Sequence, residues 1–126
     1  MVTPDQVREL ASSFPRAYEV VVRGRVKFRV KQIVFLAFSH DMTLMGFGFP
    51  KEEREYIVAA RPDTFLMPRE SDLRFKWIVA RLDALQLEEM EELVYDAWRM
   101  CVPKYVIAEH AAAHPDAAYV RSARSS

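Results

Sequence analysis

The chain has 126 residues, of which 51% are apolar and 29% charged, and its formal net charge is zero. This profile excludes a disordered chain and fits one soluble globular domain. Zero net charge also argues against a nucleic-acid binder that relies on overall positive charge, yet residues 1–50 carry seven cations to four anions and residues 51–126 eleven to fourteen.

In chain order, Thr3-Pro4-Asp5-Gln6 predicts a helix start, with Thr3 as N-cap, proline in the first turn and Gln6 closing a capping box. Val7, Leu10, Ala11 and Phe14 continue a helical stripe, so the first helix is expected over Pro4–Ser13. Strands are expected at Arg25–Val30 and Ile33–Phe38, joined through Lys31-Gln32, and at Met42–Phe49 after the turn-like Ser39-His40-Asp41. Pro50 opens a second helix over Lys51–Ala60, which Arg61-Pro62-Asp63 must end. Residues 62–73 read as irregular. A strand follows over Arg74–Leu82, and the last strong element is a helix over Leu87–Cys101 with Met90, Leu93, Val94, Ala97 and Trp98 on one face. Trp77 and Trp98 are both expected to face the core. The order of elements predicts an α+β domain, a two-layer sandwich with helices on one face of an antiparallel sheet. The domain is expected over 1–106, with 107–126 a partly disordered tail.

The most informative stretch is RGRVKFRVK, residues 23–31, in which every odd position is a cation. Strand side chains alternate between faces, so Arg23, Arg25, Lys27, Arg29 and Lys31 would share one side. A merely solvated face mixes signs, whereas like charges on one face repel by some tenths of a kcal/mol per pair. An anionic partner would relieve that repulsion. So would acids on a neighbouring strand. On the last helix, Glu88, Glu89, Glu91, Glu92 and Asp96 form the opposite feature, an acidic face that serves solvation and the helix dipole or, less readily, a hard cation. His110 and His114 are spaced to share an ion on a helix but lack a third ligand, and His40 reads as an exposed turn residue. No nucleophile elbow, phosphate loop or paired-cysteine motif is present, which points away from an enzyme. Cys101 cannot form an internal disulfide, the longest apolar runs are too short to span a bilayer, and MVTPDQVREL lacks the form of a secretion signal. A cytoplasmic protein is expected.

Five segments in order resemble the YjbR/MmcQ family of small bacterial proteins, whose fold is related to frataxin and its bacterial counterpart CyaY. They are Ser13-Phe14-Pro15; Gly24 with Phe28 and Val30; Pro50-Lys51-Glu52-Glu53-Arg54; Trp77, Val79, Leu82 and Asp83; and Ala97-Trp98-Arg99-Met100-Cys101-Val102-Pro103-Lys104. The resemblance covers about Val2 to Lys104 and implies a CyaY-like fold and DNA binding through hairpins. The chain departs from the family pattern at Lys31-Gln32-Ile33, where a glycine-rich turn followed by lysine is usual, at Phe47 and at Lys76. Taken together, residues and resemblance lead to a non-enzymatic DNA-binding protein without cofactor or metal. Its candidate surface is Arg23, Arg25, Lys27, Arg29, Lys31, Arg74 and Lys76, and duplex DNA is the expected partner. A module binding an acidic protein is the alternative, and a frataxin-like metal-handling protein a third.

Overall fold

The computed structural model describes residues 1–125; of the tail expected at 107–126, Ser126 lies outside the described residues. Six strands form one antiparallel sheet: β1 (Ala17–Val22), β2 (Arg25–Val30), β3 (Ile33–Phe38), β4 (Leu44–Gly48), β5 (Phe65–Leu66) and β6 (Trp77–Arg81), in the order β1-β2-β3-β4-β6-β5. Five helices accompany it: α1 (Pro4–Ser13), α2 (Lys51–Ala60), α3 (Leu87–Arg99), α4 (Lys104–Ala113) and α5 (Ala118–Ser125). The fold is the expected mixed α+β arrangement. No described helix is long and apolar enough to cross a membrane.

Local chemistry explains the first elements. The Thr3 side chain accepts from the Gln6 amide at 3.2 Å and the Gln6 side chain accepts from the Thr3 amide at 2.9 Å, so α1 begins with a complete capping box. β1, absent from the sequence reading, is the β-branched run ending in Val22. It turns into β2 through Arg23 (φ 53°) and Gly24 (φ 78°), two left-handed residues in succession as a tight hairpin requires. The expected cationic stripe is therefore shorter than one strand. Arg23 lies in this turn, Lys31 (φ 54°) in the β2–β3 turn, and only Arg25, Lys27 and Arg29 lie on β2.

Cross-strand register builds the core in rows. Phe28, Leu36, Phe47 and Ile78 pair successively across β2, β3, β4 and β6, and Phe38, Met45, Ala80 and Phe65 make a second row. All eight are fully buried, on the face against which α1 and α3 pack. β3 carries one residue more than β2 at the Phe28/Arg29 step, because Phe28 pairs with Leu36 and Arg29 with Val34. This bulge lets Phe35 join the core beside Leu36.

Two expectations are corrected here. Ile78 and Ala80, not Trp77 and Val79, face the helices, so Trp77 stands on the opposite side of the sheet. A period of two identifies two faces but not which one is covered. Nor does the segment after residue 106 behave as a partly disordered tail. α4 and α5 are helical and bury Val106, His110, Tyr119 and Val120. There His110 shares a 2.9 Å hydrogen bond with the Tyr119 hydroxyl, inside an aromatic cluster of Phe14, Tyr95 and Trp98. Alanine-rich composition disguised this apolar contact as a tail.

Two predictions follow from this packing. Trp98 is fully buried, stacks on Phe14 at 5.0 Å and donates from its indole to the Pro15 carbonyl at 2.9 Å. Trp98→Ala should cost about 3–5 kcal/mol in chemical denaturation, as other buried aromatics do. The second concerns pH. Burial, then the neighbouring His114, hold His110 below its ordinary value of 6.5. The unfolded chain thus takes up a proton that the folded one resists. The contribution is complete above about pH 6.5 and is lost as pH falls below it. Unfolding curves at pH 7.5 and 5.5 should show a loss in the parent that His110→Gln reduces, and equal losses in both would refute it.

Candidate nucleic-acid interface

The open face of the sheet is built from the residues between the core rows. Val20, Lys27, Ala37, Gly46, Val79 and Leu66 pair in succession across all six strands. Between Lys27 and Val79 this row holds only Ala37 and Gly46, and the Trp77 indole lies over the latter. The sheet is therefore low at its centre, and taller side chains stand around it. The hollow is a cleft of about 630 Å³. Arg25 and Lys27 line one wall, Arg69, Asp72, Phe75 and Lys76 the other, with Trp77 above the strands and Met100 and Cys101 at the end.

The second wall is held from behind by an unusual helix. α2 buries none of its apolar side chains; its one buried residue is Arg54, 7% exposed. The Arg54 guanidinium donates to the carbonyls of Leu73 at 2.9 Å, Phe75 at 3.0 Å and Trp77 at 3.1 Å. Alternate carbonyls of the 73–77 segment therefore meet one rigid fork of donors. The expected strand from Arg74 accordingly begins only at Trp77. Phe75 belongs to the wall and is half exposed.

Charge in the cleft is of one sign with a single exception. Arg25, Lys27, Arg69 and Lys76 line it, against Asp72 alone. Asp72 is engaged by Arg69, whose Nε lies 3.0 Å from its carboxylate. Burial first, and then Arg25, Arg29 and Arg69, depress the Lys27 ammonium below its ordinary value, which Asp72 only partly offsets. Arg25 donates from Nε to the Phe38 carbonyl at 3.0 Å, which fixes its side chain across β3. The Nε of Arg29 is buried without a partner among the described residues. β1 brings no acid to the stripe, setting Tyr18, Val20 and Val22 opposite Arg29, Lys27 and Arg25, and the one acid that reaches it is Asp72 of the 62–73 segment, which offsets part of the charge at Lys27.

The structure thus divides the sequence-derived set. Arg25 and Lys27 share the cleft with Lys76, and Arg29 follows on the same strand face. Arg23 and Lys31 are exposed in turns at opposite ends of β2. Arg74 is exposed and covers the ring of Phe75, its guanidinium carbon 4.8 Å from the centroid. Arg69 was missed because it lies in the stretch read as irregular, and Arg54 because a charged residue in a charged helix carries no sign of burial.

The other candidates resolve differently. Glu89 pairs with Arg61, Glu92 accepts from Ser122 at 2.6 Å, and Asp96 pairs with Arg99 at 3.0 Å. His114 donates from Nδ1 to the His110 carbonyl at 2.9 Å while the two rings stack at 4.2 Å. No group of three His, Cys, Asp or Glu side chains able to hold a metal occurs among the described residues. Burial pushes the Cys101 thiol above its ordinary value, away from the reactive thiolate.

Comparison with known proteins adds the following. The family model named YjbR matches residues 12–100. Among solved structures, the Deinococcus radiodurans protein DR2400, described as a DUF419 domain, superposes with a TM-score of 0.68 at 16% identity, over 79% of this chain and 78% of that one. At that identity the likeness speaks for the fold alone. No curated protein matches.

The anchoring role of Arg54 can be measured. Arg54→Lys keeps the charge but cannot serve three carbonyls with a planar fork, and should cost about 2–3 kcal/mol. Hydrogen exchange should rise first in residues 69–77. If exchange there were unchanged, Arg54 would not be what holds this wall.

Proposed function

The chain belongs to the YjbR family, and from that premise we propose that it is a non-enzymatic nucleic-acid-binding protein that uses the cationic sheet face as its contact surface. The observation that carries the reading is the one-signed cleft, in which four cations converge and the single acid is already held by one of them. Phosphate is the natural counter-charge for such a surface, because each contact releases a condensed counterion. Repulsion among Arg25, Lys27 and Arg29 is a stability cost that a bound anion relieves. Zero net charge is compatible with this because the acids lie elsewhere, on the exposed side of α3 and in α2. Backbone contacts of this kind are indifferent to sequence, and Gln32, at the rim, is the one uncharged polar side chain placed to read a base. An acidic protein would meet the same charges, and the test separates the two.

Binding of labelled DNA at low ionic strength should fall in the micromolar range and weaken steeply with salt. Lys27→Gln with Lys76→Gln should lower the slope of log affinity against log salt by about two. The pair should leave stability unchanged or slightly higher, since Lys27 is charged at a cost in the folded state. Absence of DNA binding at low salt, with retention of a polyglutamate peptide, would replace this reading by the acidic-protein one.

A further inference from the structure

The cleft holds a feature that phosphate contacts alone do not use. Trp77 pairs with Gly48 in the ladder, and its indole occupies the space over the neighbouring Gly46. A Cβ at position 46 would lie 2.5 Å from the Trp77 Nε1 and 2.8 Å from Cε2 and Cζ2. The glycine is thus the condition for placing a large ring on this face. The ring is partly exposed, and among the described residues it makes no stacking, edge or cation contact with any other aromatic or charged group. Trp98 differs on every count, being fully buried, stacked on Phe14 and Tyr95 and hydrogen-bonded to Pro15. Phe75 stands half exposed on the rim of the same cleft.

Building on the nucleic-acid reading above, we propose that the cleft receives an unstacked nucleotide of a single strand, its base resting on Trp77 and its phosphate against Lys27 and Lys76. An aromatic platform beside a cationic wall is the arrangement by which single strands are held, since every base offers a π-face and every linkage a charge. A duplex cannot use it, because its bases are stacked inward and only its phosphates reach the rim. The volume agrees: about 630 Å³ lies in the range of small-ligand pockets and accommodates one base, sugar and phosphate. The short side chain of Ala37 leaves depth for the base beside Trp77, and Phe35 at the β3 bulge also lines the cleft. The groove between α2, α3 and α4 offers no such match. It is of similar size, about 750 Å³, but mixes Glu53 and Asp96 with Arg99 and Lys104 and has no tryptophan or tyrosine in its lining.

The experiment compares an oligothymidylate with a duplex of the same length, in intrinsic tryptophan fluorescence and in a competition assay. The single strand should bind more tightly and quench the emission of Trp77, whereas the duplex should bind weakly without quenching. Trp77→Leu should weaken the single strand by about 5- to 100-fold, the range expected for one lost stack, and leave duplex binding unchanged. Trp98, fully buried among Phe14, Tyr95 and His110, then reports that the variant is folded. Trp77→Phe, which keeps a ring, should restore part of the affinity. Equal binding of both forms through Lys27, with no quenching in the parent and no effect at Trp77, would overturn the single-strand proposal and leave the cationic surface standing. Binding of neither form would overturn both.

Discussion

The open side of this molecule depends on one buried cation. α2 sets little apolar surface on the core, with Ile57 and Val58 partly covered against it and Tyr56 exposed. Instead Arg54 reaches through and satisfies the carbonyls of Leu73, Phe75 and Trp77. Such a contact is directional where a leucine would be permissive. It fixes how far the 73–77 segment stands from the sheet, and so the width of the cleft. A wall made of backbone carbonyls also needs donors behind it, or the loss of water from them would go uncompensated.

The closed side follows a different logic. Two rows of large apolar residues cross the sheet beneath α1 and α3, and the aromatic cluster around Trp98 ties α4 and α5 to the same layer. This arrangement is an ordinary core, dense and insensitive to charge. Between the rows lie the residues that make the open face, and there the choices run against packing. Ala37 leaves a hollow, Lys27 is charged among other cations, and a tryptophan is set over Gly46. Departures from good local packing that occur together in one cleft are what a binding surface requires.

Much of the architecture could be read from the chain. The capping box of α1, the limits of α2, the amphipathic face of α3 and the β2–β3 hairpin all rest on local signals within a few residues of one another. The matching segments of the YjbR pattern, spread over most of the domain, supplied the fold. β1 was missed, although Val20-Val21-Val22 followed by Arg23-Gly24 is a strand and hairpin turn in plain sight, because the cationic alternation was extended through the turn. The α4–α5 segment was misjudged for another reason: Val106, His110, Tyr119 and Val120 look unremarkable in sequence and become a core only against Phe14, Tyr95 and Trp98.

The sequence by itself determined that a cationic alternation exists and that its centre lies on a strand. Only the tertiary structure decided which cations converge. Arg25 and Lys27 meet Arg69 and Lys76 because the sheet order brings β2 within reach of the loop before β6, across more than forty residues of chain. The same holds for Trp77. Alternation assigns it to one of two faces, and the choice falls to its cross-strand neighbours, since Phe47 beside Ile78 is buried and Gly46 beside Val79 is not a residue that can fill a core. Period is a local property of the chain, whereas the side on which helices settle is decided by contacts between distant segments.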